Sequence, residues 1–229
     1  MNHSTITAEQ SSAIEAMLAS MPDLPSGVGS EENACSIAAI NLALTGMLTD
    51  EIPGCMSIVI GKWIIKIQDS APAELRNSER WRRLLPLAAG TGRDRDSGRA
   101  SVALEWMWSV VLPKVQPIAD RLGFGESWRK MCDLRTIYAA NCASASAAYA
   151  NAAASASAAN ANANANAAAA AANAAYAAAS ASASAATYAA YAAAAASAAA
   201  YAADADFWHS VDPCGCLERM INLPEGDRK

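Results

Sequence analysis

The chain has 229 residues, and its 22 acidic and 17 basic side chains give a formal net charge of −5 at pH 7. This acidic balance argues against general nucleic-acid binding, which depends on clustered positive charge. The six cysteines are scattered rather than spaced as a disulfide framework. The N-terminus lacks the pattern of a secretion signal, and no strongly apolar run of about 20 residues could span a bilayer. The chain is therefore expected in the cytoplasm, without a membrane partner.

The N-terminal part carries apolar residues at helical spacing. Thr7 and Gln10 predict a capping box at the start of a first helix. A second helix is expected from about Glu31, with Gly46 beyond its end. A third helix is predicted to begin at residues 49–51. Its apolar face predicts that it is the central core helix: Ile52, Met56, Val59, Ile60, Trp63, Ile64 and Ile67.

Three further segments complete the predicted head of the molecule. Residues 74–89 form a short helical passage, and residues 90–99 form the most polar loop of the chain. The helix that follows this loop is expected to bend at Pro113 and Pro117. A last helix, starting at Ser127 or Gly125, is expected to run without a break into an Ala-rich stretch.

Roughly two-thirds of residues 138–206 are alanine, which has the highest intrinsic helix propensity. Neither proline nor glycine occurs between Gly125 and Pro213, so no strong helix breaker interrupts this stretch. The pattern of residues 143–151 recurs eleven residues later, a period that a nearly straight helix holds on one face. A helix is favoured over a silk-like strand, because Thr187 is the only β-branched residue of the stretch at 138–206. It is also favoured over disorder.

The tyrosines indicate that the Ala-rich stretch reverses direction. Tyr138 and Tyr149 share one helix face, whereas four later tyrosines fall on another: Tyr176, Tyr188, Tyr191 and Tyr201. Asparagine alternates with alanine at residues 160–166, and asparagine readily adopts turn conformations. We therefore expect two or three helices that fold back on one another, rather than one helix about 100 Å long.

The C-terminal tail is expected to dock onto the rest of the chain. Phe207 and Trp208 are apolar anchors, and Asp212 with Pro213 marks the start of a last short helix. The predicted fold is all-α and has three parts. These are an N-terminal helical bundle, or head domain, at 1–137, an Ala-rich helical arm at 138–206 and a C-terminal docking tail at 207–229.

The stretch from Arg76 to Arg99 leans basic, although acidic residues interleave with its arginines. An exposed face of ion pairs is the simplest interpretation. The alternative is a patch for an acidic partner, with four candidate contacts: Arg82, Arg83, Arg93 and Arg95. Within this stretch, Gly90-Thr91-Gly92 fails the test for a phosphate loop, because no strand precedes it and no Gly-Lys-Ser or Gly-Lys-Thr follows.

His209, Cys214 and Cys216 are the candidates for a metal site, since imidazole and thiolate ligands suit zinc. No second Cys-x-x-Cys pair is present to complete four ligands, so neither a metal nor another cofactor is expected. A Cys–His catalytic pair is open only in principle, because the chain has just two histidines. No enzymatic activity is predicted.

Several runs of sequence carry a resemblance. They are ACSIAAINLALTG at 34–46, LPLAAGTGR at 85–93, EWMW at 105–108 and the ending at 207–214. Together they resemble a family of Ala-rich proteins carried by bacteriophages and bacterial prophages. The resemblance implies a bacterial cytosolic setting and implies no particular activity.

The sequence favours a non-enzymatic interaction or structural protein that binds a macromolecule, expected to be a protein, through the Ala-rich arm. The candidate contacts on the arm are Tyr176, Tyr188, Tyr191 and Tyr201, and self-association of the Ala-rich helices is also open. One alternative is a phage-encoded regulator that acts on a host protein or nucleic acid through the Arg76–Arg99 surface. Another is an ice-binding helix array, because Ala-rich helical antifreeze proteins also use an eleven-residue repeat.

Overall fold

The fold was analysed in a computed structural model. The structure describes residues 6–136 and 206–223, and six positions between them: 138, 139, 142, 143, 145 and 146. Every regular element in these residues is a helix or a helical turn, so the predicted all-α fold is confirmed. The folded-back course expected for the Ala-rich arm lies outside the described residues. Among the described helices, none is both long and apolar enough to cross a bilayer.

The helices of the described residues are named here in chain order. They are α1 (Ala8–Ser20), α2 (Ser36–Thr45), α3 (Ile58–Ser70), α4 (Ala73–Arg76), α5 (Glu79–Ala89), α6 (Asp96–Trp106), α7 (Gln116–Arg121), α8 (Gly125–Leu134), α9 (Phe207–Val211) and α10 (Pro213–Ile221). A π-helical turn (Met107–Val111) and a 3₁₀ turn (Leu112–Val115) connect α6 to α7.

The chain divides into two compact units. The first unit comprises Met1–Val102 and Pro213–Lys229, and the second comprises Ala103–Asp212. The tail therefore contributes to both units, with α9 in the second and α10 in the first. Phe207 and Trp208 on α9 are buried, as expected of apolar anchors.

The core of the first unit is built around α3, as its apolar pattern predicts. Five of the predicted side chains on α3 itself are fully buried, as is Met56 just before it: Val59, Ile60, Trp63, Ile64 and Ile67. The indole of Trp63 stacks on that of Trp81 from α5, with ring centroids 6.3 Å apart. Trp81 also donates from Nε1 to the hydroxyl of Ser36, 3.0 Å away at the start of α2. The stacked pair of Trp63 and Trp81, which we call the tryptophan layer, thus joins α2, α3 and α5.

The predicted helix starts are partly right. The capping box of Thr7 and Gln10 is present at α1 and is confirmed. The second helix, however, begins at Ser36 rather than near Glu31, because Gly29 pairs with Ala34 in an isolated β-bridge that holds the intervening residues in a turn.

The predicted start of the third helix at residues 49–51 is wrong. The side-chain amide of Asn41 donates to the carbonyls of Thr49 and Glu51, both 2.8 Å away, and holds this segment as a loop. Helix α3 starts only at Ile58, where the Ser57 hydroxyl accepts the Ile60 N–H. Serine is a preferred N-cap because its oxygen satisfies one of the free amides of the first turn.

The second unit has irregular helical turns at Pro113 and Pro117, where bends are predicted. Pro113 lacks an N–H, and in a regular α-helix its ring would collide with the carbonyl four residues earlier. The chain widens there, and the Leu112 N–H bonds the Met107 carbonyl five residues back. Pro117 cannot donate to the Pro113 carbonyl, so the Gln116 N–H bonds it in the tighter 3₁₀ turn.

The expectation that the helix near Ser127 continues into the alanines is wrong. Helix α8 ends at Leu134, because Arg135 adopts the left-handed conformation with φ of 51°. The Thr136 hydroxyl then accepts the Ala139 N–H at 3.2 Å, in the manner of a new N-cap. The Ala-rich stretch therefore begins as a separate helical segment.

Candidate interaction surface

The arginines of the 76–99 stretch mostly hold the first unit together. Arg76 donates to the carbonyls of Gln68 and Ala71 at the end of α3. Arg80 makes a bidentate ion pair with Glu218 on α10, with N–O distances of 3.0 and 2.8 Å. These two guanidinium groups therefore fasten helix ends rather than form an open basic face.

Arg82, a predicted partner contact, is turned toward α1. Its guanidinium donates to the carbonyls of Leu18 and Met21, where the last turn of α1 leaves carbonyl groups without helical partners. It also donates to the Asn77 side chain at 3.0 Å. Most of the donor capacity of Arg82 is thus used inside the fold.

Arg99 is the most buried member of the stretch, with 3% of its side chain exposed. It donates to the carbonyls of Thr91 (2.7 Å), Gly92 (2.9 Å) and Met220 (3.3 Å), and it pairs with Asp96 at 3.3 Å. Burial lowers the pKa of Arg99, and the charge and hydrogen bond of Asp96 oppose this shift. The predicted polar loop at 90–99 is wrong at its end, because α6 begins at Asp96 and includes Arg99. Arg99 therefore joins the loop carbonyls of Thr91 and Gly92 to helix α10.

The Gly90–Gly92 loop has no backbone amides arranged for a phosphate. The Thr91 N–H donates to the Ala88 carbonyl and the Gly92 N–H to the Cys55 carbonyl. The carbonyls of Thr91 and Gly92 point toward Arg99. A phosphate loop needs free N–H groups that converge on the anion, so this geometry agrees with the failed motif test.

The remaining candidate arginines differ in their surroundings. Arg83 is exposed on α5. Arg93 is half-buried, and its Nε atom has no hydrogen-bond partner in the part of the chain that the structure describes. Arg95 donates to the Leu223 carbonyl at 2.7 Å and lies 3.8 Å from Asp94. Arg83 is therefore the candidate arginine most open to an outside anion, whereas the unpaired Nε of Arg93 is buried.

The Arg80–Glu218 pair gives the first unit a dependence on pH. The hydrogen bond from Arg80 lowers the pKa of Glu218, and burial opposes this shift. A carboxyl whose pKa is lowered by folding stabilises the fold above its ordinary value of 4.5, and this contribution disappears as pH falls through the lowered pKa.

We therefore expect Glu218→Gln to lower the free energy of unfolding by roughly 0.5 kcal/mol at neutral pH, since both partners are partly exposed. The difference between the variant and the natural chain should disappear as the pH falls through the lowered pKa of Glu218. Urea denaturation across this pH range measures the effect. Glu15→Gln, at an exposed site on α1, is the control. A difference that persisted in acid would contradict the ion-pair explanation.

The predicted metal candidates lie in different surroundings. His209 is exposed on α9, whereas Cys214 and Cys216 on α10 are buried. Within the described residues, no three His, Cys, Asp or Glu side chains come together in a way that could hold a metal ion. A metal site at these three residues therefore has no geometric support in the described chain.

Three of the other described cysteines, Cys35, Cys55 and Cys132, are poor nucleophiles. Burial raises the pKa of Cys35 and of Cys55, and it raises the pKa of Cys132 to about 12. Because the thiolate is the reactive form of cysteine, these side chains stay protonated and unreactive at neutral pH. Cys35 has a structural part instead, since its sulfur accepts the Ala38 N–H at the start of α2.

The first turns of the Ala-rich stretch have an inner and an outer face. Ala139 and Ala143, one helical turn apart, are buried within the second unit. The hydroxyl of Ser146 lies 3.0 Å from that of Ser127 on α8, so this side of the segment packs against α8. Tyr138, by contrast, is 78% exposed. The stretch thus uses alanine methyls for packing and turns its first tyrosine outward.

Leu134 lies beside this entry point and was not singled out by the sequence. It is the last residue of α8 and is 60% exposed. Its exposure follows from the left-handed turn at Arg135, whose guanidinium pairs with Glu105 at 2.7 Å and donates to Ser109. The signal that could have revealed this turn is Thr136, a residue type preferred at N-caps, directly before the new segment.

The four tyrosines predicted to contact a partner lie outside the described residues, as do the positions on which an ice-binding role would depend: Tyr176, Tyr188, Tyr191, Tyr201 and Thr187. A comparison with protein-family models finds no match, and no curated protein or solved structure matches the chain.

Proposed function

We propose that the chain is a non-enzymatic helical interaction protein that binds a protein partner through its Ala-rich arm. The observation that carries this proposal is the two-faced start of the arm, where Ala139 and Ala143 are buried while Tyr138, like Leu134 at the end of α8, is exposed. An arm that packs internally through small methyl groups leaves its larger side chains on the outside for a partner. The resemblance to Ala-rich phage and prophage proteins supports a partner of bacterial or phage origin.

The chemistry of the exposed residues supports a protein partner. Tyrosine is enriched in the buried centres of protein interfaces, because its ring gives a large contact area and its hydroxyl can still bond at the edge. The arm offers no lysine or arginine from residue 138 to residue 206, so it has little to attract a nucleic acid. A partner surface with apolar grooves and few charges would fit this arm.

Affinity capture from bacterial lysate tests the proposal. The full chain is compared with a chain that lacks residues 139–205 and with the double variant Leu134→Ser/Tyr138→Ser. Loss of two exposed contacts at an interface should weaken capture by roughly tenfold or more. Leu87→Ser is the matched control, because Leu87 is 53% exposed but lies on α5.

The proposal is supported if the natural chain and the Leu87→Ser control capture the same partner and both arm variants lose it. Capture by the deleted chain at full strength would overturn it. The proposal that the chain is not an enzyme has its own test, since turnover of a small molecule that depended on His209 or a cysteine would contradict it.

A second candidate function is contact with an acidic partner through the Arg76–Arg99 surface. It is favoured by the exposure of Arg83 on α5. The informative change is Arg83→Glu, because reversing Arg82 would also remove its bonds to the end of α1. Unchanged capture by Arg83→Glu would remove this surface from consideration.

A further inference from the structure

The loop between α2 and α3 is held firmly at both ends. Besides the two bonds from Asn41, the Glu51 N–H donates to the Thr49 hydroxyl at 3.2 Å. Ile52 packs so closely on Gly61 of α3 that a Cβ at Gly61 would lie 2.6 Å from its Cγ2. We refer to residues 46–51 as the 46–51 loop.

This fixed loop carries two large apolar side chains into solvent. Met47 is 60% exposed and Leu48 is 36% exposed. Leu42 and Leu44, at the end of α2, are half-buried and extend the apolar character of this end of the first unit. Because the loop is already held in place, it loses little conformational freedom when a partner covers it. More of the free energy of the apolar contact therefore contributes to affinity.

The charged side chains in the sequence around the loop are acidic. Residues 1–61 contain no lysine or arginine, and the first basic residue of these types is Lys62. The carboxylates in this part of the chain are Glu9, Glu15, Asp23, Glu31, Glu32, Asp50 and Glu51. Asp50 and Glu51 are exposed beside Met47 and Leu48, and neither takes part in an ion pair with any cation in the described chain.

We propose that the 46–51 loop is a second docking surface, which binds a basic, apolar segment of a partner protein. Apolar side chains of this segment cover Met47 and Leu48, and its lysines or arginines face Asp50 and Glu51. The proposal rests on the proposed role as an interaction protein but uses a different surface from the Ala-rich arm. Charge complementarity selects this occupant, since an anionic membrane or a nucleic acid would be repelled by the same carboxylates.

A titration of the full chain with defined peptides tests the proposal. The probe is a short amphipathic helical peptide of leucine and lysine, and its control carries glutamate in place of lysine. Binding is followed by fluorescence anisotropy. The two test variants are Met47→Ser/Leu48→Ser and Asp50→Asn/Glu51→Gln, and their matched controls on the same unit are Leu87→Ser and Glu74→Gln. Urea midpoints of all variants establish that each one folds.

We expect each loop variant to raise the dissociation constant of the Leu/Lys peptide by roughly tenfold, with both controls unchanged and the Leu/Glu peptide unbound. Raising the ionic strength from about 0.05 M to about 0.5 M should weaken binding to the natural chain and have little effect on the carboxylate variant. Equal affinity for all variants, or no binding by the natural chain, would overturn the proposal.

The proposal would also be overturned if a second copy of the chain, rather than a basic partner segment, covered the loop. If the natural chain sediments as a dimer and Met47→Ser/Leu48→Ser converts it to a monomer, a second copy of the chain covers the loop. The arm proposal is tested separately, because the arm variants leave the 46–51 loop intact. Loss of capture by those variants with an unchanged peptide titration would contradict neither proposal.

Discussion

Replacement of Arg99 by methionine is expected to lower the free energy of unfolding by about 3–5 kcal/mol. Methionine fills a similar volume but provides no donors. The carbonyls of Thr91, Gly92 and Met220 would lose their shared partner, and the Asp96 charge would lose its cation. Unfolding in urea, followed by circular dichroism, measures the difference.

The control for Arg99 is Arg83→Met, which removes an exposed guanidinium and should change stability by no more than about 0.5 kcal/mol. Arg99→Lys should recover only part of the loss, because one ammonium group cannot reproduce the planar set of donors. If Arg99→Met were as stable as the control, the loop and helix α10 would not depend on this guanidinium.

Truncation of Trp81 to alanine is expected to destabilise the first unit by about 3–5 kcal/mol, because it opens a cavity beside Trp63. Trp81→Phe should keep most of the packing but lose the bond to the buried Ser36 hydroxyl, at about 1–2 kcal/mol. The two variants thus separate the packing contribution of the indole from its hydrogen bond. Thermal and urea unfolding both report the order of stability.

Leu87→Ala serves as the control for Trp81, since Leu87 is on the same helix α5 but more than half exposed. It should alter stability by no more than about 0.5 kcal/mol. A loss for Trp81→Phe as large as for Trp81→Ala would mean that the Ser36 bond, and not the tryptophan layer, holds α2 to α5. If Trp81→Phe were as stable as the natural chain, the hydrogen bond between Trp81 and Ser36 would contribute nothing to stability.

The helical faces of this protein were predictable, but several helix ends were not. The buried side of α3 follows directly from its periodic apolar residues, because burial of such a stripe is a local property of the sequence. Its start does not follow, because Asn41, in the preceding helix, takes the carbonyls of Thr49 and Glu51 and keeps them out of the helix. A helix end depends on which distant group satisfies its free backbone atoms.

In the candidate interaction surface too, the residue types could be predicted from the sequence but their contacts could not. The sequence identifies a stretch of arginines and allows an open basic face. In the structure, Arg82 binds the end of α1 and Arg99 binds the carbonyl of Met220. The charge of an arginine can be read from the sequence, but its acceptors are backbone carbonyls brought near by folding. No sequence pattern marks which carbonyl will be within reach.

The sequence by itself determined the helical class, the core face of α3, the capping box at Thr7 and the acidic character of residues 1–61. These depend on residue type and spacing along the chain. Only the tertiary structure decided that Arg82 and Arg99 are internal ties, that α8 stops at Leu134, and that Met47 and Leu48 stand in solvent. Each of these depends on contacts between residues far apart in sequence, and such contacts exist only once the chain has folded.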